Sequence, residues 1–103
     1  MGGKFLEKRI TLDLGEETSN PGRFMELEYY LLESEINESE TEETRNAYGI
    51  EIVKKSEDDT VEVQRYDDVC FTKEKTIGLI ELLAKNAVTP VTFPYILDDL
   101  LGV

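Results

Sequence analysis

The sequence predicts an α+β fold: a four-stranded antiparallel meander sheet, one long helix packed on one face, and a short C-terminal helix. Four segments before residue 67 alternate apolar and polar residues with a period of two, which is typical of half-buried strands. One strong helical pattern, KEKTIGLIELLAKNA, then follows at residues 73–87. Since the connections are short, neighbouring strands are expected to pair in order, and residues 1–103 are expected to form a single domain.

The first two strands are predicted at about residues 5–14 and 24–36. In both, apolar residues alternate with charged ones, as expected when one face of a strand is buried. The stretch between them, residues 15–22, contains Asn-Pro-Gly and predicts a loop. Tyr30 and Leu32 fall on the outer side of the second strand, which indicates that part of that side is covered as well.

An acidic segment separates the second strand from the third. Residues 25–44 include eight glutamates and no lysine or arginine. Residues 37–46 are nearly all Glu, Ser, Thr and Asn, which cannot bury enough apolar surface to become ordered, so a mobile acidic loop is predicted there. A calcium site in this loop is disfavoured, because the Asp/Asn spacing and the glycine of calcium-binding loops are missing.

The third and fourth strands are predicted at about residues 47–55 and 60–66. A four-residue loop between them would place Ile52 opposite Val63, so that the apolar residues of both strands share one face. A two-residue loop would also keep the faces but would pair Ile52 with Arg65, which is less favourable. A three-residue loop is excluded by this reasoning, since it would place Ile52 opposite Gln64.

The helix at residues 73–87 is predicted to cover the sheet with an apolar stripe at spacings of three and four. The stripe consists of Ile77, Ile80, Leu83, Ala84 and Ala87, widened by Leu79 and Leu82. Thr72 is placed to accept a capping hydrogen bond from a first-turn amide, and Gly78 suggests close packing of the helix on the sheet. After an extended link through Pro90, a short apolar-acidic helix is predicted at residues 93–101.

The composition restricts the classes of function. The net charge of −12, from 23 acids and 11 bases, opposes binding to nucleic acid or to an anionic membrane. The sequence has no histidine, which is the commonest general base and transition-metal ligand. The single cysteine, Cys70, lies between apolar residues and predicts a buried side chain, no internal disulfide and a cytoplasmic location. No catalytic, cofactor-binding or metal-binding residue is predicted.

Several stretches carry a resemblance to a known family. They are YYLLESEI and YGIEIVKK in the strands, and KEK, LIELLAKN and VTPVT between Thr72 and Leu101. In these stretches the chain resembles small uncharacterised acidic proteins of Gram-positive anaerobic bacteria, which are described as a domain of unknown function. The resemblance covers most of the chain. It implies no activity, cofactor or catalytic residue, and it supports a bacterial, cytoplasmic origin.

Three classes of function follow from these observations. The first is a small non-catalytic interaction or regulatory module, which binds another protein or forms a homodimer through Tyr30, Leu32 and Tyr66. These residues are expected to be exposed, and only a contiguous patch would indicate a binding surface. The second is an acidic mimic of nucleic acid that occupies a basic protein. The third and least favoured is a small enzyme that uses two carboxylates in a cleft.

Overall fold

The computed structural model describes residues 2–13, 24–38, 43–70 and 72–101. The elements in chain order are β1 (Gly3–Asp13), β2 (Phe24–Glu38), β3 (Glu43–Ser56), β4 (Val61–Cys70), α1 (Lys73–Lys85) and α2 (Phe93–Leu101). The strands form one antiparallel sheet in the order β1-β2-β3-β4. The predicted α+β fold with a meander sheet is confirmed, although α1, with 13 residues, is of moderate length rather than long.

The core lies between one face of the sheet, here called the helix face, and the two helices. Leu27, Tyr29 and Leu31 alternate along β2 and lie beside Ile50 and Ile52 of β3, and all five are fully buried. The rest of the core comes from the two helices and the link between them, and consists of Ile80, Leu83, Ala84, Val88, Phe93 and Leu97. Burying each large apolar side chain contributes about 1.5–3 kcal/mol. The opposite side of the sheet is called the outer face.

Tyr29 connects the middle of the sheet to the segment that follows α1. Its ring is fully buried, and its hydroxyl donates a hydrogen bond to the Val88 carbonyl at 2.9 Å. Burial raises the pKa of Tyr29 to about 12. The hydroxyl therefore stays protonated and bonded over the whole range in which proteins normally work.

The C-terminal end of α1 lies two residues before the predicted position. Ala87 adopts a left-handed conformation with φ of 51°, which ends the helix. The Ala87 N–H donates to the Ala84 carbonyl at 3.1 Å, and the Val88 N–H donates to the Leu83 carbonyl at 3.0 Å. This is the Schellman arrangement, with an alanine where glycine is usual. Its apolar contact is supplied by Leu83 and Val88, which are both buried.

Three details of α1 differ from the sequence-based expectation. The Thr72 side chain makes no capping hydrogen bond; instead its carbonyl accepts the Thr76 N–H at 3.3 Å and the Thr76 hydroxyl at 2.9 Å. Leu82 is 41% exposed, so it does not widen the buried stripe. Gly78 is exposed, with nothing within 4 Å of the position of an added Cβ, so the prediction of close packing there was wrong.

The predicted mobile loop at residues 37–46 is largely replaced by strand. β2 continues to Glu38 and β3 begins at Glu43, with Ile36 paired to Arg45 and Glu38 paired to Glu43. Each added pair satisfies backbone hydrogen-bonding groups and shortens the loop that must be closed. This gain does not depend on apolar side chains, which is why composition missed it. Residues 39–42, and the loop predicted at 15–22, lie outside the described residues.

β4 pairs with β3 one residue away from the predicted register. Ile52 lies opposite Gln64, and Val53 lies opposite Val63, so the prediction that excluded a three-residue loop was wrong. Because side chains alternate, a shift of one residue turns every β4 side chain to the other face. Val61 and Val63 therefore lie on the outer face, where they are 55% and 53% exposed.

A three-residue turn establishes this register. Asp59 has a positive φ of 67°, and its N–H donates to the Ser56 carbonyl at 3.0 Å. The Ser56 N–H donates to the Thr60 carbonyl at 2.9 Å, while the Asp58 carboxylate accepts the Thr60 N–H at 3.1 Å. A type I turn followed by a left-handed residue is a common three-residue hairpin loop. Aspartate is one of the few residues that adopt that conformation readily.

The observed register places an aromatic ring, rather than a cation, in the core. Tyr66 lies opposite Ile50 on the helix face, and its ring meets Phe93 edge-on with centroids 5.3 Å apart. In the predicted register Arg65 would lie opposite Ile50, where an unpaired guanidinium is costly to bury. On the outer face Arg65 instead pairs with Glu51. These gains outweigh the exposure of two valines.

A bulge in β4 requires a glycine in β3. The pairing shifts between Tyr48 and Ile50, so β4 contains extra residues at this point. A Cβ on Gly49 would overlap the Tyr66 carbonyl oxygen and would lie 2.6 Å from the Asp67 carbonyl oxygen. Both neighbours are backbone atoms, which cannot move aside without disturbing the strand.

We predict that Gly49→Ala lowers the free energy of unfolding by about 1–3 kcal/mol, because the added methyl group forces β4 away from β3. Gly78→Ala is the matched control. It adds the same methyl group to an exposed helical position with open space, and should raise the free energy by about 0.5–1 kcal/mol. Urea unfolding of both variants checks this. Equal effects of the two substitutions would contradict the close approach at Gly49.

We predict that Tyr29→Phe lowers the free energy of unfolding by about 0.5–1.5 kcal/mol, because it removes the buried hydrogen bond to Val88. It should also weaken the loss of stability at high pH. Unfolded Tyr29 ionises near pH 10.0 and folded Tyr29 near 12, so the unfolded state loses the proton first and rising pH favours unfolding. Thermal unfolding between pH 9 and about 11 measures this. Tyr95→Phe, at a residue that is 74% exposed, is the control that should leave the free energy of unfolding at neutral pH unchanged.

Candidate interaction surface

The outer face of the sheet carries an ordered pattern of charges around a few apolar side chains. Alternation along the paired strands places the following residues there: Lys4, Leu6 and Arg9 of β1; Glu28, Tyr30 and Leu32 of β2; Glu51, Val53 and Lys55 of β3; and Val61, Val63 and Arg65 of β4. Two of these side chains, Glu28 and Glu51, are only 2% and 5% exposed. Buried carboxylates on a sheet face need compensating partners, and the surface is built around them.

Glu28 lies at the centre of the first cluster. Arg9 of β1 donates to one carboxylate oxygen through Nη2 at 2.9 Å and Nε at 3.2 Å. Lys55 of β3 lies 3.1 Å from the other oxygen, which also accepts the Tyr30 hydroxyl at 3.1 Å. Burial raises the pKa of Glu28, but the hydrogen bonds from Arg9, Lys55 and Tyr30 outweigh burial and hold the pKa below its ordinary value.

Glu51 forms the second cluster, across the other half of the sheet. Lys4 of β1 contacts one carboxylate oxygen, and Arg65 of β4 lies 3.7 Å from the other. The Lys4 ammonium also lies 4.4 Å from the centre of the Tyr30 ring, a distance typical of a cation–π contact. Arg65 is in addition bound to Asp67 at 2.6 Å. Glu28 thus connects a cation of β1 with one of β3, and Glu51 connects a cation of β1 with one of β4.

The electrostatics of the Glu28 cluster differ from those of an acid–base site. A general acid at neutral pH needs a carboxyl group whose pKa is raised, whereas the pKa of Glu28 is lowered. Its partners Arg9 and Lys55 occupy the carboxylate oxygens that a substrate would have to approach. The geometry therefore supports a role for these charges in holding the strands together.

The three residues predicted to form an interaction patch are not brought together on the surface. Tyr30 is half-buried and donates its hydroxyl to Glu28, and Leu32 is only 3% exposed. Tyr66 lies on the opposite face of the sheet, packed against Phe93. The expectation that all three are exposed was wrong, and they do not form the contiguous patch that would indicate a binding surface. Tyr66 was expected on the outer face because the predicted register of β4 differs by one residue from the observed one.

The most exposed apolar residues of the outer face lie on β4, ahead of Phe24 at 49% and Leu6 at 43%. Val61 and Val63 are more than half exposed on an edge strand, although the alternation pattern assigned both to the core. The sequence contained one signal that could have identified them. Tyr66 and Val63 cannot share a face of a regular strand, and the larger aromatic side chain gains more from burial than a valine.

The described residues of this surface can be compared with what a small-ligand site and a metal site require. A cavity of about 310 Å³ lies beside the second cluster, between the start of β1 and the bulge of β4. Its lining includes Lys4 and Arg65 but also Glu33 and Asp67, so the charges do not converge on a ligand of one sign. In the part of the chain that the structure describes, no group of three or more Cys, Asp or Glu is arranged to hold a metal ion. No helix among the described residues is long and apolar enough to cross a membrane.

A model of a family of unknown function, DUF6514, matches residues 8–103. The chain belongs to this family. The match extends from β1 through α2 and includes the β4 edge. It also includes both glutamate clusters, except Lys4 of the Glu51 cluster, which lies before the matched residues. No curated protein and no solved structure matches the chain. The function of this DUF6514 protein is therefore argued from its surface.

We predict that Glu28→Gln lowers the free energy of unfolding by about 1–2 kcal/mol at pH 7. The amide keeps the shape of the side chain but removes the charge that pairs with Arg9 and Lys55. The loss is moderate because both cations are about half exposed and remain hydrated. Glu26→Gln is the matched control, since Glu26 also contacts Arg9, at 3.2 Å, but is 36% exposed. It should cost less than about 1 kcal/mol.

The same pair of variants tests the ionisation of Glu28. Because the folded pKa lies below the ordinary value of 4.5, the unfolded state takes up the proton first as the pH falls. The advantage of the natural protein over Glu28→Gln should therefore be constant above about pH 5 and should shrink as the pH falls below 4.5. Urea unfolding at a series of pH values measures it. An advantage that grows on acidification would show that burial, not pairing, dominates.

Proposed function

We propose that this DUF6514 protein is a small non-catalytic interaction module that binds a protein partner at the outer edge of β4. The observation that carries the proposal is the stretch Val61–Arg65, an edge strand whose two valines lie more than half exposed on the outer face. An exposed regular edge strand is a template for pairing with another strand, and outward-facing apolar side chains add affinity to it.

The direction of the backbone groups supports this edge as the docking site. The Ser56 N–H donates to the Thr60 carbonyl, so this pair is hydrogen-bonded across the hairpin. Along an antiparallel ladder, hydrogen-bonded pairs alternate with pairs whose groups point away from the partner. Val61, Val63 and Arg65 therefore direct their N–H and C=O groups outward. In the described part of the chain, no strand pairs with this side of β4.

The opposite edge of the sheet is protected against such pairing. β1 contains a bulge between Leu6 and Lys8, which interrupts a regular row of backbone groups. It also carries Lys4, Lys8 and Arg9, and bulges and edge lysines are the usual means by which natural sheets avoid pairing with other chains. From Val61 to Tyr66, β4 has neither a bulge nor a lysine. The asymmetry favours β4 as the binding edge.

The charge and the cysteine support the remaining parts of the proposal. The net charge of −12 disfavours nucleic acid and anionic membranes as partners. The single Cys70 and the resemblance of several motifs to proteins of Gram-positive anaerobes support the cytoplasm of a bacterium as its location. The partner must supply a strand that pairs with the edge of β4. Another protein and a second copy of this chain can both do so.

A second candidate is an acidic mimic of nucleic acid that occupies a basic protein. The observation that favours it is the length of the β2–β3 hairpin, whose backbone pairs continue to Glu38 and Glu43. Acidic positions that composition assigned to a loop thus lie on regular strands, as a mimic requires. The interaction-module proposal ranks first because it accounts for the exposed valines, which a mimic leaves unexplained.

We predict that Val63→Lys abolishes partner binding without unfolding the protein. The substitution places a charge at the middle of the proposed binding edge, where it opposes strand addition. Leu82→Lys is the matched control, because it makes the same change of charge at an apolar helical residue that is 41% exposed. The measurement is affinity capture from a lysate of the natural host at low and moderate salt, with mass spectrometry of the bound proteins.

The outcomes of the capture separate the two candidates. A protein retained at moderate salt by the natural chain and by Leu82→Lys, but lost with Val63→Lys, supports the β4 edge. A basic protein that is lost from all three at moderate salt supports the mimic, because contacts between exposed charges are screened. A partner retained equally by all three chains contradicts binding at this edge.

A further inference from the structure

We infer that the strand that binds to β4 is β4 of a second copy, so that two chains join antiparallel about a two-fold axis at Val63 to form a continuous eight-stranded sheet. This inference rests on the proposed function and names its partner. It commits to one register, in which Val63 faces Val63 of the second copy and Val61 faces Arg65 of the second copy.

The outward backbone groups of β4 are self-complementary in this register. Val61, Val63 and Arg65 all point their N–H and C=O groups to the open side, as derived from the Ser56–Thr60 hydrogen bond. Across an antiparallel two-fold axis at Val63, each of these residues meets another of the same set. Every N–H of the set then finds a C=O, which satisfies the row of groups that the monomer exposes to water.

The side chains distinguish this register from its neighbours. An axis at Glu62 would place two glutamates directly opposite each other, and facing like charges are destabilising. An axis at Val63 instead places Glu62 opposite Gln64, and leaves Glu62 within 3.5 Å of its own Lys54. An axis at Gln64 would place Val63 opposite Arg65 of the second copy, so the valines of the two copies would lie apart. The Glu62 axis would also bring the four valines together, so the facing glutamates are what disfavour it. The Val63 axis keeps the four valines adjacent without facing like charges, and the Arg65 side chains cover their ends.

The two-fold axis also places the outer faces of both copies on the same side of the joined sheet. Residues that face each other in an antiparallel pair lie on the same side of the sheet. The outer faces of both copies therefore form one continuous surface, and both pairs of helices lie on the other side. Val61 and Val63, which are 55% and 53% exposed in one chain, would then be shielded by their counterparts.

The size and charge of this interface predict a weak dimer. An edge of five residues, Val61–Arg65, buries less than the 1,200–2,000 Å² of a standard interface, so a dissociation constant of roughly 10 µM to 1 mM is expected. Each copy carries a net charge of −12, so the two chains repel at low ionic strength. Added salt should therefore strengthen the dimer, which is the opposite of the salt effect expected for a mimic bound to a basic protein.

Sedimentation equilibrium of the purified full chain, at loading concentrations up to about 1 mM, tests the association. The natural protein and Leu82→Lys should dimerise equally, and more tightly in about 0.5 M than in about 0.05 M salt. Val63→Lys should weaken dimerisation at least about tenfold, because two lysines would face each other at the axis. Circular dichroism shows whether each variant is folded.

Cysteine cross-linking tests the register. In a Cys70→Ala background, Val63→Cys should form a disulfide-linked dimer under mild oxidation, since facing residues of a hydrogen-bonded pair have Cα atoms about 5.5 Å apart. Gln64→Cys should cross-link poorly, because its counterpart would lie diagonally about 7–8 Å away. Faster cross-linking of Gln64→Cys than of Val63→Cys would overturn the Val63 axis.

The outcomes separate this inference from the proposed function. A natural protein that stays monomeric up to about 1 mM at both salt concentrations overturns the second copy as partner. If Val63→Lys nevertheless loses a captured protein that Leu82→Lys retains, the β4 edge binds a different protein and the proposed function stands. If neither dimerisation nor edge-dependent capture is found, both are overturned. Salt-strengthened dimerisation that Val63→Lys abolishes supports both.

Discussion

The register of β4 against β3 is the constraint on which the rest of the structure depends. The left-handed Asp59 shortens the connecting turn to three residues, and the strand that follows is turned over as a whole. Tyr66 thereby enters the core against Phe93, while Arg65 moves to the outer face and reaches Glu51. Moving β4 by one residue would exchange the positions of the ring and the guanidinium. The exposed valines of β4 are therefore a consequence of the same choice that completes the core.

The two buried glutamates show how a small acidic protein uses its few cations. Arg9 and Lys55 converge on Glu28, while Lys4 and Arg65 converge on Glu51. Ion pairs of this kind add little net stability, because bringing charges out of water offsets most of the attraction. Their effect is on specificity: a shift of any strand by one residue would leave a carboxylate buried without a partner. The clusters thus reinforce the register that Asp59 establishes.

The edges of the sheet connect the fold to its proposed role. β1 is interrupted by a bulge and carries three cations, whereas β4 presents a regular row of backbone groups from Val61 to Arg65. An unprotected edge beside two exposed valines is a liability unless another strand covers it. A partner strand accounts for both features. The repulsion between highly acidic chains then keeps the association weak and sensitive to ionic strength.

The sequence by itself determined the fold class, because alternation with a period of two and a helical stripe are properties of neighbouring residues. Four strands in meander order and the helices that cover them could be predicted in this way, and Ile80 and Leu83 of the predicted helical stripe are buried. Only the tertiary structure decided which face of β4 is buried. The observed face is favoured because Tyr66 packs on Phe93, which outweighs the exposure of Val61 and Val63 to water. Phe93 lies far from β4 along the chain, so the local pattern of β4 does not reveal this contact. The candidate surface could not be found from the sequence for the same reason. Which residues of β4 are exposed depends on the strand register, and the register depends on contacts between residues that are distant in the sequence.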